Sequence, residues 1–300
     1  MAQLAGASDI LHVHGDTASV LCAPLLWRHP SVATTHGLHR LRRLERAPSR
    51  AFAAGLLAAD VTVCTSAAEQ AELADIVGPK ASTTLVTVPN GIVTPEISDR
   101  VRAEARAELE LADGDVAVLF VAELEPRKDP LLVVAATEAA RRRGAPLVLL
   151  LAGAGSLGPV LKSRAGPGVR PLGFSEDVSR LYAAADVFVL PSWREGMSIA
   201  LLEAMAHGLA VIASDIAGTL EAVGSTGRLV APGDLKAWTD ELSELAFDGE
   251  ARLELGEAAR ERVVSELSLD LFLVRMRTVY EEVGGWPLRA PDPGHSEPGA

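Results

Sequence analysis

Short apolar runs typical of strands alternate with longer helical patterns along almost the whole chain, and this alternation constrains the fold most. It is typical of β-α units, which build parallel sheets covered by helices. In the first part we expect four strands, near Ile10–His14, Val32–Thr35, Val61–Thr65 and Thr84–Val88. The sequence therefore predicts an α/β protein.

The second part of the chain predicts a fuller sheet. Its expected strands are Val116–Val121, Leu147–Ala152, Val169–Leu172, Val187–Leu190, Val211–Ala213 and Gly227–Val230. Its expected helices include Asp99–Leu111, Leu235–Ala246, Glu250–Ser265 and Leu269–Val283. A doubly wound sheet usually has about six strands, so the second part is complete, whereas the first is short.

Composition excludes several classes of protein. The 300 residues, 48% of them hydrophobic, can form one large or two medium cores. The net charge of -12 argues against general nucleic-acid binding, because an acidic surface repels phosphates. Cys22 and Cys64 lack metal-ligand spacing and predict buried thiols in a reducing compartment. Without a membrane-length apolar run or a signal-peptide pattern, we expect a soluble cytoplasmic protein.

Two glutamates, Glu195 and Glu203, stand eight residues apart in a segment of mostly small or apolar residues. The segment follows a predicted strand, and from Ser198 it predicts a helix that ends at Gly208. Glu195 then lies before the helix, and Glu203 about a turn and a half inside it. Both can face a cleft at the carboxyl end of a parallel strand, where open α/β sheets bind ligands.

Free backbone amides accompany these carboxylates. Those of Gly196, Met197 and Ser198 would meet a phosphate or a sugar oxygen at the start of the helix. Carboxylates that accept hydrogen bonds from sugar hydroxyls would suit the same place. In an unrelated α/β protein, such a pair of acids would be helix caps or solvated side chains.

The glutamate spacing resembles the E-x7-E signature of retaining glycosyltransferases of family 4, which have the two-domain GT-B fold. Other segments follow in the order that the family shows: Leu190–Ser192, Leu202–Ala206, Gly208, Val211–Ser214, Gly227–Val230 and Pro232–Asp234. Upstream, Val88–Gly91 resembles the interdomain linker of the family. The resemblance covers roughly residues 9 to 283.

The resemblance implies two Rossmann-like domains. Residues 1–92 would form an incomplete acceptor-side domain, 93–268 a nucleotide-sugar-binding domain, 269–283 a C-terminal helix and 284–300 a disordered tail. The chain opens at Asp9–His14, which resembles a strand from the middle of the acceptor domain. A late gene start, a fragment or a natural truncation would each explain the missing first strand and its glycine-rich loop.

Cations are expected beside a departing nucleoside diphosphate, which carries two or more negative charges. The family usually has an arginine at the place of Glu123 and a lysine at that of Lys128. Here only the lysine is kept, and we expect Arg127 beside it to replace the missing charge. The alternative is that both cations merely solvate a helix start, a placement that the helix dipole disfavours.

Two further segments resemble the nucleotide pocket of the family. Gly153 and Gly155 follow a predicted strand, although glycine-rich turns of this kind are common in Rossmann-like domains. Gly173 and Phe174 resemble the segment that flanks the base. Backbone contacts would dominate there, so the donor is expected to be of UDP or GDP type without a choice between them.

His36 ends a predicted strand and resembles the family histidine near the donor sugar; a structural hydrogen bond at a strand end explains it equally well. His14 is a lesser candidate for the acceptor pocket.

A basic run could touch an anionic membrane or a phosphorylated acceptor, although a solvated helix face explains it more simply. The run comprises Arg40, Arg42, Arg43, Arg46 and Arg50.

Together these features predict a retaining glycosyltransferase that moves a sugar from a nucleotide-sugar donor to a carbohydrate, lipid-linked or small-metabolite acceptor. Glu203 would hold the ribose, Glu195 the sugar, and Lys128 with Arg127 the diphosphate. No metal or cofactor is expected, because the cations take that role. A non-catalytic nucleotide-sugar-binding or interaction protein is the alternative, motivated by Glu123 and the short first domain, and a GT-B epimerase is a third.

Overall fold

The computed structural model describes residues 10–37, 53, 55–78, 84–96 and 98–284. The chain divides into two compact units, residues 1–65, 70–88 and 272–300 in one and 66–69 with 89–271 in the other. The basic run between Arg40 and Arg50 and the predicted tail after Gly284 lie outside the described residues. None of the described helices is long and apolar enough to cross a membrane.

Four parallel strands form the sheet of the first unit, in the order β1-β2-β3-β4. They are β1 (Leu11–His14), β2 (Ser31–Thr34), β3 (Val61–Cys64) and β4 (Leu85–Thr87). Helices α1 (Asp16–Leu26) and α2 (Ala67–Val77) follow β1 and β3. All four strands were predicted, and both thiols, Cys22 and Cys64, are buried as predicted.

Six parallel strands form the sheet of the second unit, in the order β10-β9-β8-β5-β6-β7. They are β5 (Val116–Val121), β6 (Leu147–Ala152), β7 (Val169–Gly173), β8 (Val187–Leu190), β9 (Ala210–Ser214) and β10 (Arg228–Val230). Strands β6, β8 and β9 are buried throughout because helices cover both faces, which is why their sequences are continuous apolar runs. The predicted α/β class with two parallel sheets is confirmed.

Eight helices among the described residues surround this second sheet. They are α3 (Asp99–Glu108), α4 (Pro130–Arg142), α5 (Gly158–Ser163), α6 (Ser179–Ala184), α7 (Ile199–Ala206), α8 (Ala217–Val223), α9 (Leu235–Phe247) and α10 (Gly249–Glu266). The expected limits of α7 are confirmed: Ser198 caps its start, and Gly208 follows its end with φ of 73°. Helix α3 ends earlier than the expected Leu111, because Glu110 turns left-handed at φ 50°.

The chain proceeds from β5 in two directions, since β6 lies on one side of it and β8 on the other. The crevice between the carboxyl ends of β5 and β8 is therefore the switch point of the sheet. Open α/β sheets bind ligands at such a crevice. The loops that follow β5 and β8 are thus the natural place for a site.

The C-terminal ends of the helices lie on the opposite side of the sheet, at the amino ends of the strands. Arginine side chains donate hydrogen bonds to carbonyls near four of these ends: Arg102 to Ala183, Arg260 to Ala206, Arg262 to Ala222 and Arg252 to Ala246. A cation at a helix C-terminus is favourable because carbonyls there lack intrahelical donors. These arginines therefore stabilise the scaffold.

Helix α11 (Leu269–Gly284) joins the core of the first unit through its second half. Met276 and Val279 pack in one apolar cluster with β2 and β3. The Tyr280 hydroxyl lies 2.7 Å from Nδ1 of His12, and His12 Nε2 lies 2.8 Å from Thr34 Oγ1. Burial, with smaller contributions from two neighbouring histidines, lowers the pKa of His12 from 6.5 to about 4.

Replacing Gly256 with alanine should destabilise the second unit. A Cβ at Gly256 in α10 would lie 2.0 Å from the backbone oxygen of Gly208, so the helix would have to move. We expect the free energy of unfolding to fall by about 1–3 kcal/mol, measured by urea denaturation. Gly249→Ala in the same helix is the control, because its Cβ would meet only the end of Arg252 at 3.4 Å. Equal losses in both variants would contradict the packing argument.

Acid should destabilise the first unit through His12. Its pKa is about 4 when folded and near 6.5 when unfolded, so the unfolded chain takes up the proton first. The stability that neutral His12 contributes is therefore fully present above pH 6.5 and is lost as the pH falls towards 4. At about pH 5 the loss should be about 1 kcal/mol, after allowing for partial exposure. Urea unfolding of the parent and His12→Gln tests this: the variant should lose less stability between about pH 7.5 and about pH 5.

Candidate active site

A buried ion pair joins the loops that follow β5 and β8. Nζ of Lys128 lies 2.5 Å from Oε1 of Glu195, and their side chains are only 11% and 6% exposed. Lys128 ends a 3-10 turn, Pro126–Lys128, whereas Glu195 precedes α7. The pair therefore lies at the switch point, where little water screens its charges.

A buried tyrosine holds the second glutamate of the signature. The Tyr182 hydroxyl donates to Oε2 of Glu203 over 2.9 Å, and Tyr182 is 1% exposed. Burial, and then the Glu203 carboxylate, raise the pKa of Tyr182, so the hydroxyl stays protonated. The His207 ring stacks on Tyr182 with centroids 5.0 Å apart, and its Nδ1 donates to the Glu203 carbonyl over 2.7 Å. These contacts fix Glu203 from the side of the core.

The loop between the glutamates is fixed by its backbone. Asn90 donates to the carbonyl of Met197 over 2.9 Å. A Cβ on Gly218 would lie 1.9 Å from the carbonyl oxygen of Gly196, so only glycine allows α8 to approach this loop. The amides of Gly196, Met197 and Ser198 donate no hydrogen bond to another described residue. Three amide donors are therefore available at the start of α7.

Arg127 pairs with Glu123, the residue at the family's arginine position. The Arg127 side chain is 31% exposed and that of Glu123 is 63% exposed. The pair lies at the rim, outside the buried Lys128–Glu195 contact. Arg127 was predicted to replace the arginine that the family usually has at position 123. Its charge is partly neutralised by the Glu123 carboxylate.

A cavity of about 200 Å³ lies where β5, β6 and β7 end, and its lining includes Glu123, Gly153 and Phe174. The Phe174 ring is 73% exposed. A Cβ on Gly153 would lie 1.9 Å from the Ala122 carbonyl oxygen, and one on Gly155 would lie 2.5 Å from that of Leu124. Both predicted glycines are thus required by close contact with the loop after β5. Gly173 precedes Phe174 with φ of 79°.

In the first unit, three histidines gather at the carboxyl ends of β1 and β2. Nδ1 of His14 lies 3.2 Å from Nε2 of His36, and their rings stack with centroids 5.5 Å apart. The His12 ring lies 4.1 Å from that of His14. The structure therefore brings together both strand-end histidines named from the sequence.

The contacts of Asn90, Tyr182, Trp193 and Gly218 were not predicted from the sequence. Trp193 donates from Nε1 to Oδ2 of Asp129 over 3.0 Å, close to the buried pair. Only for Asn90 was there a sequence signal, its place in the linker-like segment. The remaining partners lie too far apart in the chain for any local pattern to join them.

Comparisons with known proteins show which families the chain resembles. A family model described as Glycosyl transferases group 1 matches residues 115–248, and one described as Glycosyltransferase Family 4 matches residues 2–96. A D-inositol 3-phosphate glycosyltransferase of Nocardia farcinica is 32% identical, over 85% of this chain and 62% of that protein. One of Salinispora arenicola is 28% identical, over 93% and 69%. The chain thus spans less than two thirds of the Nocardia relative.

Solved structures agree on the fold. Anabaena Alr3699/HepE in complex with UDP-glucose superposes with a TM-score of 0.83 at 19% identity, over 94% of this chain and 81% of that chain. Sucrose-phosphate synthase from Thermosynechococcus elongatus gives 0.76 at 25% identity, over 93% and 74%.

The two family models together match most of the chain, and the alignment with the Nocardia relative covers 85% of it. The loop and helix that carry the E-x7-E glutamates follow β8, at the switch point of the second sheet. The chain therefore belongs to the group 1 glycosyl transferases of family 4 and has the α/β architecture of GT-B glycosyltransferases.

Proposed function

We propose that the protein transfers a sugar from a nucleotide-sugar donor to an acceptor with retention of anomeric configuration. The observation that carries this proposal is the buried Lys128–Glu195 pair at the switch point, with Glu203 eight residues further along. A fixed cation and two carboxylates at one crevice suit a ligand that combines a diphosphate with sugar hydroxyls. The glycosyltransferase names of the relatives support the same reaction.

Glu203 would bind the ribose of the donor. Tyr182 occupies its Oε2, and Oε1 accepts no hydrogen bond from a described residue. A carboxylate held on one side presents its other oxygen with little loss of side-chain entropy on binding. The exposed Phe174 ring would stack on the base in the neighbouring cavity, which suits either a UDP- or a GDP-type donor.

Lys128, with Arg127 further out, would stabilise the departing diphosphate. Negative charge grows on the diphosphate as the glycosidic bond breaks, and a positioned ammonium stabilises it most in that transition state. The amides of Gly196, Met197 and Ser198 and the Glu195 carboxylate would orient the sugar. The acceptor hydroxyl then attacks from the side of the leaving group, and a diphosphate oxygen takes its proton.

The acceptor is a carbohydrate, a lipid-linked sugar or a small metabolite. The names of the relatives favour a small phosphorylated polyol, so D-inositol 3-phosphate is the first acceptor to test. His36 and His14 keep the roles that the family resemblance implies, His36 near the donor sugar and His14 as a lesser candidate for the acceptor pocket. The buried thiols of Cys22 and Cys64 suit the reducing conditions of the cytoplasm.

Isothermal titration with UDP, GDP and ADP tests the proposal directly. We expect one of them to bind at one site per chain, and its sugar conjugate to be hydrolysed slowly without an acceptor. Added divalent metal should leave affinity unchanged. If none of the three binds, the proposed function is wrong.

Glu203→Gln should weaken nucleotide binding, whereas Glu195→Gln should mainly slow turnover. The Glu203 change removes a charge-assisted hydrogen bond of about 1.5–3 kcal/mol, so the dissociation constant should rise about tenfold or more. Glu195 lies beside the reacting sugar, so its loss should appear in kcat. Glu244→Gln, an exposed glutamate paired with Arg228, is the control. Unchanged nucleotide affinity in Glu203→Gln would disprove the ribose role.

Glu123→Gln should increase affinity for the nucleoside diphosphate. It removes a negative charge near the diphosphate and releases Arg127 from its ion pair. Because both groups are partly exposed, we expect a gain of only about threefold, diminishing at high salt. The control is Glu108→Gln in α3, which breaks an exposed ion pair with Arg180 of α6. A loss of affinity on Glu123→Gln would show that Glu123 itself helps to bind the donor.

A further inference from the structure

Trp193 connects the two loops that carry the buried ion pair. Its backbone N–H donates to the Arg127 carbonyl over 2.9 Å, and its Nε1 donates to Oδ2 of Asp129 over 3.0 Å. Trp193 therefore contacts the residues on either side of Lys128, while it lies two residues before Glu195. Two of the three contacts between these loops described above come from this one residue, and the third is the ion pair itself.

Asp129 adopts a left-handed conformation, with φ 46° and ψ 48°. A residue with a Cβ rarely does so, and the surrounding structure has to maintain it. Here Oδ1 accepts from the amide of Leu132 at the start of α4, and Oδ2 accepts from Trp193. Both carboxylate oxygens are thus engaged, and the left-handed residue that they support directly follows Lys128.

A glycine supports the far side of the indole. A Cβ on Gly233 would lie 2.9 Å from Cη2 and 3.0 Å from Cζ2 of Trp193, so a larger residue there would displace the ring. Although the indole is 49% exposed, its ring is held between Asp129 and Gly233. An exposed tryptophan restrained in this way indicates a function other than core packing.

We propose that Trp193 and Asp129 are positioning residues that hold the Lys128 ammonium on Glu195 and aim it at the donor diphosphate. Lys128 has a flexible four-carbon side chain, and an ammonium fixes no orientation of its own. The turn that presents it therefore has to be rigid, and the Trp193–Asp129 hydrogen bond closes that turn. The assignment rests on the proposed donor role of Lys128, but its structural part can be measured without any ligand.

The ligand-free test is reductive methylation of the whole protein with formaldehyde and an amine borane, followed residue by residue with peptide mass spectrometry. Lys128 is 9% exposed and should react slowly in the parent. Trp193→Phe keeps an aromatic ring but loses the indole N–H. In this variant the methylation rate of Lys128 should rise about fivefold to tenfold. Asp129→Asn keeps only one oxygen to accept from the Leu132 amide and the Trp193 indole, so the methylation rate of Lys128 should rise in this variant as well.

Internal and matched controls separate a local from a global effect. The exposed Lys162 and Lys236 should react at the same rate in all variants. Asp248→Asn changes the cap of α10, where Asp248 accepts from Ala251 over 2.9 Å, and should leave Lys128 protected. Equal Lys128 rates in the parent and in both loop variants would overturn the proposal.

Nucleoside diphosphate titration then separates this proposal from the proposed function. With both correct, Trp193→Phe weakens binding and Trp193→Phe/Lys128→Met binds no more weakly than Lys128→Met alone, because the tryptophan acts through the lysine. Additive losses would mean that Trp193 contacts the donor itself, and would overturn the positioning role. If Lys128 becomes reactive in the variants but the parent binds no nucleotide, the positioning stands and the proposed function fails.

Discussion

All six strands of the second sheet run in one direction, and the polarity of the whole unit depends on this. Every loop that follows a strand emerges at one edge, together with the N-termini of the helices, whose free amides favour anions. The helix C-termini meet at the other edge. A cavity of about 770 Å³ there is lined by Arg102, Arg180, Arg252 and Arg260, yet three of these donate to carbonyls near helix ends. Arginine content alone therefore misleads about where an anion binds.

At the carboxyl ends of the strands lies Lys128, the one buried cation among the described residues, which contacts a carboxylate rather than backbone carbonyls. Lys128 is paired with a carboxylate that belongs to the neighbouring loop, and both side chains are nearly excluded from water. Burying such a pair is costly, so it persists only where geometry and further contacts support it. A donor diphosphate would share the ammonium with Glu195, which reduces the desolvation that binding requires. Under the proposed function, the pair would hold the cation in place before a donor binds.

Much of this fold could be predicted because the relevant signals are local. Apolar runs gave every strand of both sheets to within one or two residues, and Ser198 with Gly208 bounded α7. The loops of the site were also predictable, since in a parallel sheet each strand end determines the edge at which its loop emerges.

Side-chain pairing within those loops could not be predicted in this way. Tyr182 and Glu203 are 21 residues apart, and Lys128 and Glu195 are 67 apart, so no periodicity connects them. The left-handed turn at Asp129 had no signal either, because aspartate is common at helix starts of every kind. Such details depend on how the loops after β5 and β8 pack on each other, which only the three-dimensional structure contains.

The ion pair between Glu123 and Arg127 partly offsets the change from the usual residue at position 123. A glutamate in place of an arginine changes the local charge by two, and Arg127, four residues on, restores half of that change. Under the proposed function, the remaining attraction for a diphosphate would rest on Lys128 and on the backbone amides at the start of α7. These amides persist in any substitution other than proline, and they lie at the start of a helix whose position is fixed by buried strands. Under the proposed function, a site built in this way would still present one buried ammonium and three backbone amides to an anion.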